Sequence, residues 1–182
     1  MKRRLLPLLL LSALLLSGCG SSKAETNYQQ FAQRLAEQET LSFQSRLRAE
    51  YPDKTVSFTL NFSRDGERDT VTVIAPELIA GLSAHVERDG SSLEFDGMIL
   101  DTGPLDESGL SPMAALPALV DTLANGHLDS TWEDQGETVV QLIADDTLSV
   151  RVWFRPDSMT PTYAELLSGE DITILCEIEN WS

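Results

Sequence analysis

Residues 41–63 read LSFQSRLRAEYPDKTVSFTLNFS, and their apolar residues recur with a period of two. Leu41, Phe43, Leu47, Ala49 and Tyr51 alternate with Ser42, Gln44, Arg46, Arg48 and Glu50. After Pro52-Asp53-Lys54 the pattern resumes, with Val56, Phe58, Leu60 and Phe62 set against Ser57, Thr59, Asn61 and Ser63. Successive side chains of a strand point to opposite faces, so each run has one apolar and one polar face. Two such runs joined by a proline-aspartate turn are an antiparallel pair with one side against a core.

The same reading extends towards the C-terminus. Asp65-Gly66 marks a turn, and Val71 and Val73 lead a third strand into Ala75-Pro76. Leu82, Ala84 and Val86 form a fourth strand, ended by Asp89-Gly90; Leu93 and Phe95 form a fifth, ended by Asp96-Gly97; Met98-Ile99-Leu100 is a sixth. Aspartate-glycine turns at this spacing belong to the hairpins of a meander. Ser111-Pro112 then reads as an N-cap followed by proline in the first helical turn. Leu116, Leu119, Val120 and Leu123 make a helical stripe, and Asn125-Gly126 ends it. Pro117 either kinks this helix or marks where its regular part begins.

Four further strands follow, at about 128–133, 137–144, 147–155 and 171–179, with a weaker one near 163–167. In the third of them Leu148, Val150, Val152 and Phe154 share one face, and Arg151, Trp153 and Arg155 the other. Upstream, Tyr28, Phe31, Ala32 and Leu35 stand at i, i+3, i+4 and i+7, which predicts a helix over 25–38. The expected fold class is α+β, mainly β: one antiparallel sheet of about ten strands, too long to stay flat, covered by two helices.

The N-terminus carries a different signal. Lys2, Arg3 and Arg4 precede an uncharged run, residues 5–16, and then Ser17, Gly18 and Cys19. That run is shorter than the roughly 20 residues a membrane-spanning helix needs, and it has the build of a signal segment. Leu16-Ser17-Gly18-Cys19 resembles the lipobox of bacterial lipoproteins. The resemblance implies a signal peptide over 1–18, lipidation of Cys19, a short tether over 19–24 and one domain over 25–182. It places the protein on the outer face of the bacterial cell membrane, or on the outer membrane of a two-membrane envelope. Each acyl chain on Cys19 would contribute about 0.8 kcal/mol per buried CH₂.

A net charge of −16 argues against nucleic acid and against anionic headgroups as partners. An apolar content of 42% argues against disorder. With Cys19 lipidated, Cys176 has no disulfide partner. It alternates with Ile172, Ile174 and Ile178, so it reads as a small core residue rather than a reactive or metal-binding thiol.

The order of elements is similar to that of the LolA/LolB/LppX group of envelope proteins. The resemblance is carried by Phe31 to Leu35, Leu41 to Tyr51, Val71 to Pro76, Asp89-Gly90 to Phe95, Ser111-Pro112 to Leu123 and the C-terminal strands. It implies a half-open β-barrel whose concave apolar face holds acyl chains or other lipids. The lining so implied is Phe58, Leu60, Phe62, Val71, Val73, Leu93, Phe95, Val150, Val152 and Phe154, with Leu119, Val120 and Leu123 from the covering helix. The other reading of these residues is a closed core in which they pack on one another.

Little else points to chemistry. Asp101-Thr102-Gly103 matches the aspartic-protease triplet, but those enzymes pair two such aspartates and this chain has one copy. Gly81-Leu82-Ser83-Ala84-His85 lacks the final glycine of a nucleophile elbow. His85 and His127 lack zinc-site spacing, and Asp145-Asp146 and Glu170-Asp171 read as hairpin tips rather than calcium loops. No cofactor and no enzymatic activity are expected. Trp153, flanked by Arg151 and Arg155, either packs under a loop or marks a surface for an envelope protein partner. Two functions are left open: binding of a lipid, lipopeptide or other hydrophobic ligand in the half-barrel, or a protein-interaction role in envelope assembly, signalling or spore germination.

Overall fold

A computed structural model describes residues 22–87, 90–103 and 110–182. The expected signal peptide over 1–18, the lipidated Cys19 and the first tether residues lie outside the described residues. So does Asp89 of one expected turn.

The chain enters through α1 (Lys23–Glu37). Ser22 and Glu25 form a reciprocal capping box: the Ser22 hydroxyl accepts the Glu25 N–H at 3.1 Å and the Glu25 carboxylate accepts the Ser22 N–H at 3.0 Å. The helix therefore starts earlier than its apolar stripe suggests, and Lys23 and Ala24, expected in the tether, are helical. Tyr28, Phe31 and Leu35 are buried, as the stripe predicts.

Six strands follow: β1 (Thr40–Tyr51), β2 (Lys54–Asp65), β3 (Arg68–Ala75), β4 (Ser83–Glu87), β5 (Gly90–Phe95) and β6 (Met98–Asp101). A 3-10 helix, Glu77–Ile79, interrupts the link from β3 to β4. Next comes α2 (Pro112–Asn125), capped by the Ser111 hydroxyl on the Ala114 N–H. It begins at Pro112 and carries Pro117 in its interior, so of the two expected starts the earlier holds. The chain ends in β7 (His127–Asp134), β8 (Glu137–Ile143), β9 (Leu148–Phe154), β10 (Pro161–Ser168) and β11 (Asp171–Glu179). The weak segment near 163–167 is a full strand, which brings the sheet to eleven.

The sheet order is β6-β5-β4-β3-β2-β1-β11-β10-β9-β8-β7, every neighbouring pair is antiparallel, and the sheet is open. Register fixes its faces. Phe43 faces Phe62, Leu47 faces Phe58, and across the central seam Leu47 faces Cys176. These residues and their i±2 neighbours form the concave side, which both helices cover. The convex side carries the polar set; there Arg46 pairs with Glu177 and Glu179 at 2.7 Å. The result is a curled, mainly β, α+β fold with its core between the sheet and two helices.

Candidate functional site

The concave face has two regions of different character. Beneath α2, Leu60, Val71, Val73, Leu119, Val120, Leu123, Val150, Val152 and Phe154 have no accessible surface, and Phe62 has almost none. They pack against one another as a closed core. A ligand would reach them only by displacing packed side chains.

Towards the start of β1 and the end of β2 this core runs into an aromatic cluster. Phe43 stacks on Phe62 and on Trp181, each at 4.8 Å between ring centroids. Phe31 meets Phe154 edge to face at 5.1 Å, and Tyr28 meets Phe154 at 6.1 Å. The Tyr28 hydroxyl donates to the Leu123 carbonyl at 2.9 Å, tying α1 to α2, and burial raises its pKa. Such offset and edge-on contacts add to the apolar burial of the rings. This end of the half-barrel is filled.

The opposite end of β1 and β2 is not. A cleft of about 830 Å³ lies between the turn joining β1 to β2, the link from β3 to β4 and the first turn of α2. Its walls are Tyr51, Val56, Phe58, Ile79, Leu82, Pro112 and Met113, and Asp53, Lys54 and Ser111 stand among them. The walls are mostly apolar and the charged groups belong to the exposed turn, which is the make-up of a site for an amphiphile. The Lys54 ammonium lies 5.8 Å from the Tyr51 ring centroid, close enough for a cation–π contact.

Of the lining expected from the resemblance, only Phe58 borders this cleft. Leu93 is half-buried on the concave side of β5, and Phe95, beyond it, is exposed. Tyr51, Val56, Leu82 and Met113 escaped the sequence reading as lining residues. A signal for two of them was present: Tyr51 and Val56 flank the turn on the same face as Phe58, where the sheet runs past its cover. Ile79 sits in a 3-10 helix with no periodic signature.

The convex side disposes of Trp153 and its neighbours. The Trp153 indole N–H donates to Asp134 at 3.0 Å and its ring packs edge-on against Tyr163 at 5.2 Å. Arg151 donates to Gln141 at 3.1 Å, pairs with Glu165 at 2.8 Å and lies over the Trp132 ring at 5.8 Å. Trp153 and Arg151 are thus held by intramolecular partners, whereas the Arg155 side chain, at the strand end, is exposed. Burial, helped by Glu165, pushes the Tyr163 phenol up to about 12.

The remaining candidates have structural roles. The Asp101 carboxylate accepts the Gly103 N–H at 3.1 Å and closes a strand end. Asp145 accepts from the Thr147 hydroxyl and from the Thr147 and Leu148 N–H groups, bonds that lower its pKa and fix a hairpin tip. His85 bridges Thr70 at 3.2 Å and Glu94 at 3.1 Å across three strands. Cys176 is fully buried, and burial pushes its thiol up to about 12. Among the described residues no cluster of His, Cys, Asp and Glu is placed to hold a metal ion. No described helix is long and apolar enough to cross a membrane.

No family model matches the chain. No curated protein matches it either. Several solved structures do. An uncharacterized conserved protein from Thermus thermophilus superposes with a TM-score of 0.52 at 4% identity, over 87% of this chain and 86% of its own. A DUF1329 family protein from Desulfovibrio piger gives 0.51 at 9% identity, over 88% and 90%. A LolA superfamily protein from Nitrosomonas europaea gives 0.49 at 11% identity, over 85% and 92%. At these identities the likeness is one of fold. What is shared is the open, curled antiparallel sheet with two helices over its concave face, the half-open barrel that the order of elements implied.

Proposed function

We propose that this chain is a lipid-anchored envelope protein that holds a hydrophobic molecule, an acyl chain of a lipid or lipopeptide, in the cleft beside α2 without altering it chemically. Cys19 carries the anchor on the outer face of the membrane, and the domain that follows presents the cleft. Tyr51, Val56, Phe58, Ile79, Leu82 and Met113 take the chain, and Lys54 meets the head group at the mouth. The observation that carries this reading is the contrast between a filled core and an apolar cleft of about 830 Å³ at one end of the same concave face. Pockets for small molecules are commonly about 300–1,000 Å³. Burying about 200 Å² of acyl surface at about 25 cal/mol per Å² contributes roughly 5 kcal/mol.

Native mass spectrometry of the protein extracted from membranes tests the reading. A co-purified hydrophobic molecule is expected, and Met113→Trp, which fills the cleft, is expected to lower its occupancy at least tenfold. A protein that arrives empty and takes up no fluorescent fatty acid overturns it.

A further inference from the structure

One edge of the sheet is only partly protected. Natural edge strands are kept short or are blunted by charged side chains, prolines or bulges, because an open row of backbone N–H and C=O groups is a template for another strand. Strand β6 is short, four residues, but has no lysine, proline or bulge. Strand β6 ends the sheet, and its Met98, Ile99 and Leu100 are 70%, 71% and 64% exposed. Side chains alternate along the strand, so Ile99 stands exposed on one face beside Glu94, while Met98 and Leu100 on the other face form an apolar patch that marks an interaction site rather than a scattered surface residue. Phe95, facing Met98 across the turn, is 39% exposed and extends it.

The backbone is set for pairing. Asp96 and Gly97 both have positive φ, as a two-residue hairpin turn requires, and this fixes Phe95 against Met98 and Leu93 against Leu100. At the far end the Thr102 N–H reaches the Ser91 carbonyl at 3.0 Å. Antiparallel ladders alternate bonded and non-bonded pairs, so the N–H and C=O groups of Ile99 and Asp101 aim away from β5.

Charge selects the occupant. Asp96 and Asp101 bracket the apolar triplet, and Glu94 faces Ile99. A second copy of the chain would bring Asp101 of each protomer within two positions of Asp96 of the other, on chains of net charge −16. An anionic membrane surface meets the same repulsion. A strand with an apolar centre and cationic ends meets none of it.

We infer that the β6 edge docks an extended segment of a partner protein, added as a twelfth strand, with apolar residues at its centre and lysine or arginine at its ends. Main-chain bonds to Ile99 and Asp101 would give affinity, and Met98, Ile99 and Leu100 with the flanking aspartates would give selectivity. This inference does not depend on what occupies the cleft.

The test uses the full chain held in phosphatidylcholine nanodiscs and a synthetic eight-residue peptide, Val-Ile-Val-Ile between two lysines at each end. Binding is followed by fluorescence anisotropy and by amide hydrogen exchange. The lysine peptide is expected to slow exchange at the Ile99 and Asp101 amides at least tenfold. Exchanging its lysines for glutamates, or making Ile99→Lys in the protein, is expected to weaken binding at least tenfold with Tm unchanged. Three results overturn the proposal: no slowing at those amides, protection without peptide in a protein that mass photometry shows to be dimeric, or protection that requires only vesicles.

Discussion

The two ends of the β1–β2 hairpin are built from the same alternating pattern and finish differently. At one end Phe62 stacks on Phe43, Phe43 on Trp181, and Trp181 meets Phe31, so every ring finds another ring. At the other, Tyr51, Val56 and Phe58 face a cleft that α2 borders only with its first turn. Strand periodicity decides which side chains point inwards, whereas the position of the cover decides which of them are packed. The lesson is that an apolar strand face specifies a core or a binding cleft only together with the helix laid over it.

The largest test of this contrast is Phe154→Ala. Phe154 is fully buried between Tyr28 and Phe31, so its truncation should cost about 3–5 kcal/mol in urea unfolding. A loss below about 1 kcal/mol would mean that the closed end is not closed.

Next comes reactivity. Burial keeps the Cys176 thiol protonated, and its pKa of about 12 lies above the ordinary value of 9.0. Near pH 8 the thiolate population, and with it the labelling rate, should fall about a thousandfold below that of the unfolded chain. The sign for stability follows: the contribution of the neutral thiol is complete below pH 9 and is lost as pH rises towards 12. Rapid labelling by a maleimide in the native state would count against the packed seam.

Phe58→Ala sharpens the comparison from the open side. Phe58 is only half-buried, so a smaller loss of about 1–2 kcal/mol is expected, together with a clear drop in fluorescent fatty-acid uptake. Equal costs for Phe58→Ala and Phe154→Ala would erase the distinction between the ends. The smallest effect should come from Ser22→Ala, which removes one half of the capping box and should cost about 1 kcal/mol, seen as a modest drop in Tm.

Much of this fold was legible in the sequence because its strands are amphipathic and its turns are chemically marked. The β1 and β2 alternation, the Asp96-Gly97 turn and the Ser111 cap all appear where the residues place them. Strand β10 was faint, since Ala164 and Leu166 face the core but a bulge at Leu166/Leu167 breaks the alternation. Met98-Ile99-Leu100 reads as any apolar strand, and nothing local reveals that it ends the sheet with its side chains exposed. The site was the least legible part. Tyr51, Ile79, Leu82 and Met113 come from three separate segments, and only the path of α2 brings them to one cleft.

The seam between β1 and β11 has a consequence for how the molecule assembles. Residues 44 and 179 are register partners, so the middle of the sheet joins segments near opposite ends of the described chain. Until residues 171–179 are available, the β1–β6 and β7–β10 halves each keep a bare inner edge. Long-range closure of this kind slows folding, since the entropy of closing the loop is lost before the contacts reward it. The two halves are therefore expected to remain separable, and open to chaperones or misplaced strands, until β11 slots between β1 and β10 as the keystone.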